Sequence, residues 1–194
     1  MKLGILGGTF DPIHQGHLAL AEAALKQFLL DKILFIPAAI PPHKTDCVSL
    51  TSGEIRLKMV QLAIRYNKCF EASDLELVRP GVSYTVDTLR QLKKKYPADK
   101  LFLILGQDSF ESLSSWHEPQ EIRCLADILV ARRDGAHEQS GETEHHEIMM
   151  KEVPVSASMI RRSIYFGKKV DEKELPLPVA EFIRQGHLYL KTES

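Results

Sequence analysis

The stretch Gly7-Gly8-Thr9-Phe10-Asp11-Pro12-Ile13-His14-Gln15-Gly16-His17 gathers glycines, a carboxylate and two imidazoles into one short segment. Glycines let a backbone approach a phosphate because no Cβ stands in the way, and a helix start just beyond offers unpaired N–H groups to an anion. His14 and His17 frame Gly16, so a tight turn there aims both rings at one phosphoryl group. Imidazole donates well to phosphoryl oxygens as charge builds in a transition state. A Walker loop would need Lys-Ser/Thr after its last glycine, and none follows; G-x-G-x-x-G fails because the glycines fall at Gly4, Gly7 and Gly8. A tight strand–helix turn with incidental histidines explains either histidine singly, but not the set.

Four further segments could complete a phosphate and base site. Pro41-Pro42-His43-Lys44 follows a strand, and its prolines stiffen the loop that holds the Lys44 ammonium. Val155-Ser-Ala-Ser-Met-Ile-Arg161 opens a helix with Ser156 or Ser158 as cap, and Arg161 lies about one turn beyond Ser158 as a forked donor. Gly106-Gln107-Asp108 follows another strand, where a carboxylate suits ribose hydroxyls; the competing reading makes Asp108 a helix cap. Ser83-Tyr84-Thr85 lies at a helix start, and Trp116, the only tryptophan, precedes His117. An indole face suits a cationic ring, whereas the plainer reading makes Trp116 core and Thr85 a cap.

These segments need a frame that places strand ends together. Lys2–Leu6, Lys32–Pro37, Lys100–Leu105 and Asp127–Ala131 read as buried strands, brief and rich in Ile, Leu and Val. Between them, Leu18, Ala21, Leu25 and Phe28 mark one amphipathic helix, and Val86, Leu89 and Leu92 mark another that begins near Thr85. Thr51-Ser-Gly-Glu54 resembles a capping box, opening a helix with Ile55, Met59, Leu62 and Tyr66 inward. A helix begins at Pro119, and Arg132–Glu147 reads as an exposed loop. Late helices over Ser158–Phe166 and Pro178–Gln185 stop at Gly167 and Gly186. Strand–helix alternation predicts an α/β open parallel sheet with helices on both faces, in a single domain 1–194 whose small helical part covers about 154–194.

Composition narrows the function classes. A formal net charge of −1 over 194 residues gives no global field for nucleic acid or an anionic membrane, so phosphate binding must be local. Cys47, Cys69 and Cys124 are widely separated and fit reduced cytoplasmic thiols better than disulfides or a zinc site. The early apolar stretch stops at Gly7-Gly8, short of a signal-peptide core, and no run reaches the roughly 20 apolar residues of a membrane span. A cytoplasmic location is expected, with a homo-oligomer left open.

G-G-T-F-D-P-I-H-x-G-H-L resembles the signature of the nucleotidyltransferase superfamily that carries an H-x-G-H motif. Within it, from Lys2 to about Tyr189, the chain is similar to the bacterial nicotinate-mononucleotide adenylyltransferases. The resemblance implies a Rossmann-like fold and adenylyl transfer from ATP to nicotinate mononucleotide, giving deamido-NAD and pyrophosphate. It implies His14, His17, Lys44 and Arg161 as catalytic residues, with Gly7, Gly8, Thr9, Phe10, Gly16, Gly106, Asp108, Ser156 and Ser158 around ATP. It places Tyr84, Thr85, Trp116 and His117 around the nicotinate ring, the carboxylate held by Thr85 and the backbone N–H of His117. No dedicated metal cage is visible, so Mg²⁺ is expected to ride on the ATP phosphates. Gln107 and Ala157 depart from the family's G-A-D and I-S-S-T-x-I-R patterns. Rival expectations are a phosphopantetheine adenylyltransferase, typically shorter and without S-Y-T-x-D-T-L, a cytidylyltransferase, and a nucleotide-binding regulator without turnover.

Overall fold

The computed structural model describes residues 1–40, 50–132 and 145–191. Its strands are β1 (Lys2–Gly8), β2 (Lys32–Pro37), β3 (Phe70–Ala72), β4 (Lys100–Leu105), β5 (Asp127–Arg132) and β6 (His146–Met149). All pair in parallel in the order β3-β2-β1-β4-β5-β6. The helices are α1 (Gln15–Gln27), α2 (Gly53–Ile64), α3 (Thr85–Lys95), α4 (Gln107–Glu111), α5 (Pro119–Leu125), α6 (Ala157–Tyr165) and α7 (Leu177–Gln185).

The central strands are apolar throughout because both faces are covered. Leu6, Ile33, Phe35, Phe102, Ile104 and Leu129 enter one core with Ala21 and Ala24 of α1, Met59 and Val60 of α2, Ile160 of α6, and Val179 and Ile183 of α7. Leu3, Ile5, Leu34, Ile36, Leu101, Leu103, Ile128 and Val130 point the other way, onto Val86, Leu89 and Leu92 of α3 and Ile122 of α5. The side chains thus alternate between faces with the pleat, and the expected Rossmann-like sheet with helices on both faces is the one found.

Several local expectations need correction. Ser52, not Thr51, caps α2, its side chain accepting from the Ile55 N–H at 3.4 Å. The helix ends at Ile64, so its period never reaches Tyr66, which is 81% exposed; its buried residues are Arg56, Met59, Val60 and Ile64. β3 and α4 were not anticipated, and β6 falls at the end of the stretch expected to be loop. β6 buries only Ile148 among His146, Glu147 and Met149, which gives an edge strand a polar signature. The remainder of that expected loop, 133–144, lies outside the described residues, as do Cys47, Pro41, Pro42, His43 and Lys44.

Candidate active site

β1 is the strand at which the chain order reverses, the place where open α/β sheets bind ligands. Its pairing with β2 runs on to Gly8↔Pro37, but its pairing with β4 stops at Ile5↔Leu103. Beyond Ile5 the two strands part, and a crevice opens between Gly7 and Leu105. A cavity of about 550 Å³ occupies it, lined at its base by Ile5, Gly7, Gly8, Thr9, Leu103 and Leu105. Its far wall carries Tyr84, Thr85, Trp116 and His117, so the residues assigned to the base by resemblance converge on the glycine segment. A second cavity of about 220 Å³ is lined by Gly16, Gly106, Asp108 and Ser109, and Ser109 also lines the first.

The histidines sit at the start of α1. His14 is the N-cap, and its backbone N–H donates to Nδ1 of His17 at 3.2 Å. Because Nδ1 accepts, the neutral His17 ring carries its proton on Nε2, which is assigned from this bond as a donor. The two rings stack with centroids 3.7 Å apart, and the Phe10 ring meets His17 edge-on at 5.0 Å. Burial lowers the His14 pKa to about 4; burial and then the neighbouring His14 push His17 well below its ordinary value. Both rings are therefore neutral donors at physiological pH. A Cβ on Gly16 would stand 3.1 Å from the His14 ring and 3.3 Å from Val155 Cγ1, so a glycine lets the stacked pair and the segment before α6 close on one point.

The glycine segment is clamped from several sides. Arg56, 1% exposed, donates from Nη1 to the Thr9 carbonyl at 2.7 Å and from Nε to the Thr51 carbonyl at 2.8 Å. Arg161 donates from Nη1 to the Asp11 carbonyl at 2.6 Å, which brings α6 against the same segment. Tyr189 donates its hydroxyl to Asp11 Oδ1 at 2.5 Å. Phe10 adopts a left-handed backbone at φ 50° while its side chain is buried in the core, so it meets a ligand only through its backbone.

Other assigned residues take clear places. Ser156 is the cap of α6, accepting from the Met159 N–H at 3.2 Å, and Ser158 is exposed in the first turn with its hydroxyl 3.2 Å from that of Ser156. Gly106 caps α4, so the cap reading of Asp108 falls; Tyr84 is the N-cap of α3, and the cap reading of Thr85 falls likewise. Trp116 packs on the second core, as its plainer reading had it, and also lines the cavity, with Nε1 donating to Ser112 Oγ at 3.2 Å. Tyr84 and His117 lie ring to ring at 4.5 Å. Arg90 ties down this wall by pairing with Asp87, Glu118 and Glu121.

Sequence reasoning missed Arg56, Tyr189 and Glu76. Glu76 is a buried carboxyl lining the larger cavity; it accepts from Thr88 Oγ1 at 2.6 Å, and burial raises its pKa. Arg56 did carry a signal, since it precedes Met59 and Val60 by three and four positions on the buried stripe of α2. Among the described residues no group of three or more His, Cys, Asp and Glu converges to hold a metal ion.

A strand-end cleft meets a paired-histidine helix start here, and comparison with known proteins gives the class of protein. The family model described as Cytidylyltransferase-like matches residues 5–163. A protein of Dictyoglomus thermophilum, named "Probable nicotinate-nucleotide adenylyltransferase", is 40% identical over 98% of this chain and 100% of its own length. One of the same name from Citrifermentans bemidjiense is 39% identical over 98% of this chain and 99% of its own. In fold, the chain is similar to Plasmodium falciparum nicotinic acid mononucleotide adenylyltransferase complexed with NaAD, with a TM-score of 0.78 at 20% identity, covering 97% of each chain. The chain belongs to the nicotinate-nucleotide adenylyltransferase family, within the cytidylyltransferase-like proteins.

Proposed function

We propose that this chain transfers the adenylyl group of ATP to nicotinate mononucleotide, releasing pyrophosphate and forming deamido-NAD in NAD biosynthesis. The observation that carries the reading is the pair of cavities meeting at one glycine–histidine segment: Thr9 lines one, Gly16 lines the other, and the stacked His14 and His17 flank Gly16 on either side in the chain. Full-length relatives bearing the enzyme's name support the substrate pair. So does the Plasmodium falciparum protein, whose bound NaAD is the product this reaction would give.

The larger cavity would take the pyridine ring, stacked on Trp116, with its carboxylate at Thr85 and the His117 N–H; the smaller would take the adenosine, with Asp108 on ribose hydroxyls. The attacking group is the 5′-phosphate of the mononucleotide, already ionised at neutral pH. It forms a P–O bond to the α-phosphorus of ATP as the bond to the pyrophosphate oxygen breaks, in line. No protein nucleophile or base is needed, and catalysis is positioning plus charge stabilisation. His17 donates from Nε2 as charge develops on the α-phosphate, and His14 binds beside it. Arg161 holds the leaving pyrophosphate together with Lys44, which lies outside the described residues. Gly7, Gly8 and the backbone of Phe10 leave room for phosphates, and the first turn of α6, with Ser156 and Ser158, offers its N–H groups. Mg²⁺ would arrive as part of ATP·Mg²⁺. No described helix is long and apolar enough to cross a membrane; the assignment of the reaction to the cytoplasm rests on the widely separated cysteines.

The test is pyrophosphate release with ATP·Mg²⁺, comparing nicotinate mononucleotide, nicotinamide mononucleotide and phosphopantetheine. Turnover with nicotinate mononucleotide, and less with the amide because a carboxamide lacks charge-assisted hydrogen bonds, is expected. Turnover only with phosphopantetheine would overturn the base pocket, and ATP binding without turnover would make the protein a regulator.

A further inference from the structure

We propose that Tyr189 is a positioning residue for adenylyl transfer: it fixes Asp11, and through the Asp11 peptide carbonyl it sets the guanidinium of Arg161. The inference rests on the phosphate-binding role given above to Arg161.

Tyr189 stands 178 positions from Asp11, and its hydroxyl reaches Asp11 Oδ1 at 2.5 Å. Asp11 is only 2% exposed, so its carboxyl must find donors inside the protein. The second donor, the Thr51 N–H on Oδ2, is 3.4 Å away and weak by distance. The phenol is thus the principal anchor of that side chain. Burial and then the bond to Asp11 raise the Tyr189 pKa, which keeps the hydroxyl protonated as a donor. The backbone of Tyr189 is left-handed, with φ 64°, a conformation that disfavours an L-residue and that its packing and hydrogen bond must hold.

Asp11 links this anchor to the chemistry. Its carbonyl accepts from Arg161 Nη1 at 2.6 Å, so the plane of one peptide decides where the guanidinium stands. That bond uses one of five guanidinium N–H donors and leaves the others for phosphate oxygens. Arg56, on α2, grips Thr9, two residues before Asp11, at 2.7 Å. The segment is thus held at Thr9 by Arg56 and at Asp11 by Tyr189. Neither Tyr189 nor Asp11 lines the cavity of Trp116 and Thr85, and the nearest lining residue in the chain, Thr9, is held by its own bond from Arg56.

The experiment is a double-mutant cycle on kcat with Tyr189→Phe and Arg161→Lys. Tyr189→Phe keeps the ring and drops only the hydroxyl. It should lower kcat per folded site on the order of tenfold, as a misplaced charge stabiliser does, and leave KM for nicotinate mononucleotide unchanged. In the Arg161→Lys background the same change should add almost nothing, because the group it positions is gone. An unchanged kcat for Tyr189→Phe, or effects that simply multiply, would make Tyr189 a packing residue and overturn the proposal. If Tyr189→Phe does not fold, Asp11→Asn enters the cycle in its place with the same non-multiplicative outcome required. A wild type that releases no pyrophosphate would instead defeat the function. The cycle would then be read in ATP affinity by calorimetry, where additive effects of the two changes would refute the linkage.

Discussion

His17→Ala removes a donor of known character. Nδ1 is committed to the His14 N–H at 3.2 Å, and the pKa lies well below the ordinary value, so the ring works as a neutral Nε2–H donor. Its loss therefore removes one preorganised hydrogen bond to the transition state and no charge. Such a bond is worth about 2.7–4 kcal/mol, or ~10²–10³ in kcat. ATP affinity should change little, since the bond strengthens only as charge develops. The substitution also strips the His14 N–H of its acceptor at the start of α1, at a cost of about 1–3 kcal/mol in stability. Two amides separate these effects. Glutamine places its nitrogen roughly where Nε2 stands, and asparagine places its oxygen roughly where Nδ1 stands. His17→Gln should recover part of kcat, and His17→Asn should recover melting temperature without recovering kcat. Steady-state pyrophosphate release and thermal melts on the three variants give the readout. Equal losses in kcat and ATP affinity for His17→Ala would reduce His17 to a binding residue and refute the assignment.

Trp116→Ala should raise KM for nicotinate mononucleotide by about 2- to 30-fold, the worth of a cation–π contact of roughly 0.5–2 kcal/mol. ATP affinity by calorimetry should not move, because Trp116 lines only the larger of the two cavities described around β1. Arg56→Met should destabilise the fold by about 2–4 kcal/mol in denaturant titration, since it leaves the Thr9 and Thr51 carbonyls without their donor; a loss under 1 kcal/mol, roughly the effect of a surface change, would contradict its buried role. Stability should also depend on pH through His14, whose folded pKa is about 4 against an ordinary 6.5. The folded state disfavours the proton, so this contribution is full above pH 6.5 and is lost as pH falls to about 4, by about 3 kcal/mol. His14→Gln should make the fall in melting temperature across that window less steep, the remainder belonging to His17, whose pKa burial lowers in the same direction; an equally steep acid limb in the variant would assign the loss to other groups.

What the sequence disclosed follows from which interactions are local. Lys100–Leu105 could be read as a strand because five of its six residues are buried, on both faces, which leaves an unbroken apolar run. The segment Gly7 to His17 was legible because its contacts are short-range: His14 to His17 spans one helical turn, and Gly16 lies under the His14 ring. β3 was invisible because only Phe70 of its three residues is buried. Tyr66 misled because a helical period says nothing about where the helix stops. Asp11, Arg56 and Tyr189 illustrate the deeper limit. A buried charge is tolerated only when its partner is present, and here the partners lie 47 and 178 positions away. Local periodicity can register that a position faces inward, as it does for Arg56, but it carries no information on the distant group that makes burial affordable. The chemistry-bearing residues were therefore readable, while the residues that hold them still required the fold.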